Sequence, residues 1–180
     1  MSKEFVISVM FRDQVGIVAD VTTAIADLQG DLEDISQTVM RGYFTMLMVA
    51  SFPDQTTAAD IRRALDGLDN EKGATFGVMD FVGKCQPQPP KGELYMLTAA
   101  GPDAPGQVAA IARYFHERDI NIVDLATTPN QGEYLMIFLV EIPADTDVSK
   151  LKRSLQLDVA RLGLKVEIRH HALFRKTNEI

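Results

Sequence analysis

The stretch FRDQVGIVAD, Phe11–Asp20, follows an apolar run and opens onto the spacing of an amphipathic helix. Its outline returns 90 positions later as GPDAPGQVAA, Gly101–Ala110. Both contain Asp-x-x-Gly ahead of a small apolar helix start, at Asp13/Gly16 and Asp103/Gly106. Holding that offset without a gap superimposes Val18 on Val108, Asp34 on Asp124, Thr38 on Thr128 and Gly42 on Gly132. Further along, Met46 falls on Met136, Pro53 on Pro143, Arg63 on Arg153, Leu65 on Leu155 and Gly73 on Gly163. A gapless register through glycine, proline and aspartate positions marks an internal repeat. Between the copies lies GKCQPQPPKG, Gly83–Gly92, whose prolines neither complete a strand ladder nor continue a helix. The chain therefore divides into a first domain over 1–82, a linker over 83–92 and a second domain over 93–180.

Each copy gives one pattern. EFVISVMF and its twin LYMLTAA read as first strands. The helices that follow carry Val18, Val21, Ile25 and Leu28, or Val108, Ile111 and Phe115, on one face. GDLEDISQTVM and INIVDLATTP read as second strands. YFTMLMVASFP and EYLMIFLVEIP are strongly apolar third strands, each ended by proline. Second helices are expected near Thr57–Asn70 and Asp147–Leu162, with short last strands in ATFGVMDFV and LKVEIRHHA. The order βαββαβ, twice, implies an α+β fold: two ferredoxin-like sandwiches, each an antiparallel sheet with both helices on one face. YLMIFLV is apolar at successive positions, so both faces of that strand call for cover, from the other copy or from a second chain.

Composition narrows the function. The chain has 180 residues, 46% hydrophobic and 24% charged, with a net charge of −7. The first 90 residues hold 7 Lys+Arg and 13 Asp+Glu, the rest 11 and 12. An acidic balance argues against direct nucleic-acid binding. No apolar run reaches the length of a membrane span, and MSKEFVISVMFRDQ turns charged too early for a signal peptide. The single cysteine, Cys85, is read as an inert linker thiol, and a reducing, cytoplasmic location follows. Ser/His/Asp, GxSxG, Walker and GxGxxG patterns are absent from the sequence, so no catalytic residue and no cofactor is assigned. The acidic group Asp27, Asp31, Glu33 and Asp34 lacks the alternating spacing of a calcium loop, and His170-His171 lacks further ligands; no metal is assigned.

The repeated hinge has two readings. As structure, each Asp caps the backbone N–H groups of the helix it precedes, and Pro105 suits a first helical turn. As function, the same free N–H groups, aided by the helix dipole, hold a carboxylate, while a nearby Asp or carbonyl takes an ammonium. An amino acid carries both charges close together.

FRDQVGIVADVTTAIADLQGDLEDI and GPDAPGQVAAIARYFHERDINIVDL each resemble the opening of an ACT domain, a small regulatory module of amino-acid metabolism. Pro105, Gly106, Asn121 and Ile122 match the motif, whereas the first copy has Val15 for the proline and Asp31-Leu32 for Asn-Ile. A chain made of two such domains resembles the glycine cleavage system transcriptional repressor family. That resemblance implies a non-enzymatic regulator that binds an amino acid such as glycine where ACT domains meet, forms a homo-oligomer (a dimer), and acts through a regulator protein partner. It nominates as ligand-binding the loop residues Asp13, Gln14, Val15, Gly16 and Ile17, and Asp103, Ala104, Pro105, Gly106 and Gln107. A neighbour's second strand is implied to supply the other wall, through Asp34, Ile35 and Ser36 or Asp124, Leu125 and Ala126. The alternatives are an acylphosphatase-type hydrolase, with Arg12 cradling phosphate, and a ligand-free interaction adaptor.

Overall fold

A computed structural model describes residues 2–68, 73–83, 92–130 and 133–172. The elements run β1 (Ser2–Arg12), α1 (Ile17–Asp27), β2 (Asp31–Met40), β3 (Tyr43–Pro53), α2 (Ala58–Asp66) and β4 (Thr75–Asp80). They continue as β5 (Gly92–Pro102), α3 (Gln107–His116), β6 (Asn121–Asn130), β7 (Glu133–Pro143), α4 (Val148–Ala160) and β8 (Lys165–His170). The chain divides into two units, Met1–Gln86 and Pro87–Ile180. Cys85, most of the expected linker and the basic residues Arg175 and Lys176 lie outside the described residues.

Each unit is a four-stranded antiparallel sheet, ordered β2-β3-β1-β4 and β6-β7-β5-β8. The order follows from the sequence pattern. β1 and β3 alternate apolar side chains at period two, and the buried set Phe5, Ile7, Val9, Phe11, Phe44, Met46, Met48, Ala50 and Phe52 lies on one face. α1 and α2 close that face with Ile17, Val21, Ala24, Ile25, Ile61 and Leu65. In the second unit Leu97, Ala99, Met136, Phe138, Val140 and Ile142 meet Ile111, Tyr114, Phe115, Leu151, Leu155 and Val159. Aromatic edges meet faces in both cores, Phe5 on Phe52 at 5.8 Å and Phe115 on Phe138 at 5.8 Å.

The structure corrects three helix details. Val18 is 40% exposed, and Ile17 takes the inward position expected of it. Pro105 lies ahead of the helix rather than in its first turn, because Gly106 is the N-cap. The second helices stop short of their expected ends, α2 at Asp66 and α4 at Ala160.

α1 ends in a tight turn that leads into the edge strand β2. Gln29, at φ 57°, turns left-handed, and the N–H groups of Gln29 and Gly30 return to the carbonyls of Ala26 and Ile25. This closes the last turn as a Schellman motif does. Gly30 has no room for a side chain: a Cβ there would lie 2.5 Å from Phe52 Cε1 and 2.9 Å from the Ile25 carbonyl oxygen. Gly30→Ala should therefore destabilise the fold by about 1–3 kcal/mol through overpacking. Urea unfolding checks this as a lowered midpoint at unchanged slope.

Candidate ligand-binding site

The repeated loops run from the end of β1 or β5 into the first helix of each unit. Arg12 through Gly16 are exposed, with Val15 at 103% relative exposure. The Asp13 N–H donates to the Gly42 carbonyl at 2.8 Å, which fastens the first loop to the β2–β3 turn. That turn has two consecutive left-handed residues, Arg41 at φ 50° and Gly42 at φ 82°, the conformation of a tight hairpin.

The capping reading of Asp13 and Asp103 is overturned. The N-caps are Gly16 at φ 100° and Gly106 at φ 86°, and neither helix has a side-chain cap hydrogen bond. The left-handed glycine swings the chain into the helix three residues beyond the aspartate, which places the carboxylate outside the first turn. The second helices differ. Thr57 Oγ1 accepts from the Asp60 N–H while the Asp60 carboxylate accepts from the Thr57 N–H, a complete capping box. Asp147 Oδ1 accepts from the Lys150 N–H at 3.0 Å. So α2 and α4 have side-chain caps, whereas α1 and α3, the two helices after Asp-x-x-Gly, do not. The first turns of α1 and α3 carry the positive end of the helix dipole with no side-chain cap upon it.

The two loops are not equivalent. Gln107, the first helical residue of α3, is 1% exposed where the first unit has Ile17 at 3%. Its Nε2 donates to the Pro102 carbonyl at 2.7 Å and to the Leu162 carbonyl at 3.3 Å. It ties the end of β5 to the turn after α4. Its Oε1 is buried and finds no partner among the described residues. The sequence reading placed Gln107 in the loop but missed its burial; the repeat held the signal, an amide standing where the other copy has isoleucine.

The strand segments nominated as the opposite wall, Asp34–Ser36 and Asp124–Ala126, lie on the exposed edge strands β2 and β6. Within a unit they do not meet the loop. The first loop is anchored beside Met40, and Ile35 sits five residues back along β2, about 17 Å at the rise of a strand. Each edge strand has a bulge, between Leu32 and Asp34 and between Ile122 and Asp124. At the bulge an aspartate folds onto the next residue: Ile35 N–H donates to Asp34 Oδ1 at 2.8 Å, and Leu125 N–H to Asp124 Oδ1 at 2.9 Å. An edge amide that could pair with an incoming strand is thereby occupied.

Other nominated features go elsewhere. His170 packs edge-on against Tyr95 at 5.0 Å and lies 3.7 Å from Glu93. Met46 and Met48 are core, while Met10 and Met40 are exposed at 44% and 69%. A depression of about 760 Å³ lies between the start of β1 and the start of α2, away from the loop. Among the described residues no three His, Cys, Asp or Glu side chains converge as a metal site, and no helix is long and apolar enough to cross a membrane.

Cap chemistry gives a direct test. Thr57→Ala should cost about 1 kcal/mol, whereas Asp13→Ala, which removes no cap, should stay within about 0.5 kcal/mol of the parent. Gly106→Ala should cost about 1–2 kcal/mol from its left-handed φ alone, and Gly106→Asn less. Chemical denaturation of the variants reads all four. Acid supplies a second check. The Thr57 hydroxyl and N–H hold Asp60 below its ordinary value of 3.8, and the Lys150 N–H does the same for Asp147. A depressed folded-state value stabilises the fold above the unfolded value and is lost as pH falls through the lowered one. Asp60→Asn and Asp147→Asn should therefore flatten the acid limb of stability and leave its dependence at neutral pH unchanged.

Comparison with known proteins agrees with the repeat. The family model of the ACT domain matches twice, over residues 3–79 and 93–169. A UPF0237 protein of Pyrobaculum aerophilum is 35% identical over 89 residues, which is 49% of this chain and 99% of that protein. One from Methanosarcina mazei is 41% identical over 78 residues, 43% of this chain and 80% of its own. Among solved structures, an unknown protein of Galdieria sulphuraria superposes with a TM-score of 0.71 at 23% identity, covering 94% of this chain and 99% of that one. A protein assigned provisionally as a glycine cleavage system transcriptional repressor gives 0.68 at 13% identity, covering 94% and 97%. At those identities the likeness is one of fold. With a doubled βαββαβ unit and a family match across both copies, the chain belongs to the ACT-domain family, whose domain it carries in tandem.

Proposed function

We propose that this protein is a non-enzymatic sensor of a small amino acid, glycine being the first candidate, and that it passes the binding event to a regulator protein of amino-acid metabolism. The observation that carries this reading is the pair of helices α1 and α3, which begin on left-handed glycines without side-chain caps while α2 and α4 are capped. The ligand carboxylate sits at the uncapped first turns that Gly16 and Gly106 begin. Asp13 or Asp103, released from any capping duty, takes the ammonium. Asp34–Ser36 and Asp124–Ala126 form the opposite wall, presented by a neighbouring ACT unit. To reach the Ile35 or Leu125 N–H, the ligand displaces the aspartate carboxylate now bound there. Regulation of transcription through that partner, in the cytoplasm, completes the proposal.

The test is a thermal-shift screen of the full chain against the common amino acids, followed by calorimetry. A ligand that binds only the folded state stabilises it by roughly 2.7 kcal/mol at a hundred times its dissociation constant. A selective shift is expected, reduced in Asp13→Ala and Asp103→Ala and abolished when both glycines become valine. No shift at millimolar amino acid, or an undiminished shift in all these variants, overturns the proposal.

A further inference from the structure

Four differences within the repeat stiffen the second corner. Where the first copy has Phe11, Arg12, Val15 and Ile17, the second has Gly101, Pro102, Pro105 and Gln107. The two prolines fix φ at positions that are free in the first loop, so less backbone freedom is left to lose when a ligand orders the segment. Val15, in the place of Pro105, projects fully into solvent. Gly101 lets the end of β5 lie directly on the turn after α4: a Cβ there would meet the Gly163 carbonyl oxygen at 2.5 Å and Leu164 Cα at 3.2 Å.

Gln107 closes the arrangement. Its Nε2 donates to the Pro102 carbonyl at 2.7 Å and to the Leu162 carbonyl at 3.3 Å. Pro102 is the last residue of β5 and Gln107 the first of α3, so one side chain joins both ends of the loop Asp103–Gly106 and moors them to the turn after α4. Both partners are carbonyls, which fixes the amide nitrogen as the donor and leaves Oε1 buried without a partner among the described residues. Ile17 closes the matching point of the first core at 3% exposure without that desolvation cost. Isoleucine has no group with which to join the ends of its loop. What the amide adds over isoleucine is therefore position.

We propose that Gln107 is a positioning residue: by clamping both ends of the second loop it makes the second corner the tighter of the two amino-acid sites. The inference rests on the amino-acid reading given above and assigns unequal affinities to its two sites. A loop already held in its bound shape gives up less freedom when the ligand arrives. The first loop, fastened at its start through the Asp13 N–H to the Gly42 carbonyl, is ordered at Gln14 and Val15 only when the ligand binds.

Amide nuclear magnetic resonance of the full chain, titrated with glycine and then with the other common amino acids, reads the corners separately through Gly16 and Gly106. The Gly106 signal should saturate at a concentration roughly tenfold lower than the Gly16 signal. Gln107→Ile should erase that margin while the thermal midpoint stays within about 5 °C of the wild type, a split that a merely structural amide would not give. Pro105→Val, at an exposed loop position, should narrow the margin without touching the core, and Val15→Pro should tighten the first corner. Without ligand, amide relaxation should show Ala104 more rigid than Gln14 and Val15 on the picosecond to nanosecond scale, and Gln107→Ile should release it. Equal affinities, a tighter first corner, or a margin that survives Gln107→Ile overturns this inference and leaves the amino-acid reading standing. A larger fall of the midpoint in Gln107→Ile, with Pro105→Val inert, makes the amide purely structural and overturns it too. No shift with any amino acid at millimolar concentration overturns the reading itself, and this inference with it.

Discussion

The first helix of each unit is entered through a glycine corner with positive φ, Gly16 and Gly106, whereas the second helices are entered through extended Thr57 and Asp147. Everything around the candidate site depends on that corner. It fixes where the helix starts, with Ile17 or Gln107 directed into the core and Val18 outward. The aspartate before it makes no cap hydrogen bond to the first turn, which stays without a side-chain cap. A β-branched residue would strain the corner, and an aspartate or serine there would cap the helix.

The units keep the corner and diverge beside it. Ile17 closes the first core by apolar contact, whereas Gln107 closes the second by bridging two carbonyls and leaving its own oxygen buried without a partner among the described residues. A buried amide with an unmet acceptor carries a free-energy cost, so the second loop is held by hydrogen bonds whose geometry must be kept.

Much of this was legible in the sequence because periodicity and repetition constrain each other. YFTMLMVASFP and EYLMIFLVEIP were readable as strands over their full length, since each ends in a proline that cannot extend the ladder. The fold followed from the order of elements. What stayed hidden was direction. Composition does not show that a left-handed glycine turns Asp13 and Asp103 away from the helix, nor that Asp34 and Asp124 fold back onto the next amide of an edge strand. Helical periodicity put Val18 inside because it fits the i, i+3 spacing of Val21; the corner shifts the buried stripe to Ile17, Val21, Ala24 and Ile25. Gln107 was visible as a substitution within the repeat, but only the packing of Pro102 and Leu162 around it gives the amide a role.

If an amino-acid carboxylate binds at the two uncapped helix starts, their backbone amides must register it. Amide nuclear magnetic resonance of the full chain, titrated with glycine and then with the other amino acids, reads those groups one by one. Saturable shifts are expected at Gly16, Ile17 and Val18, at Gly106, Gln107 and Val108, or at both sets, with α2 and α4 unmoved. Shifts that fall elsewhere, or none with any amino acid at millimolar concentration, would contradict it.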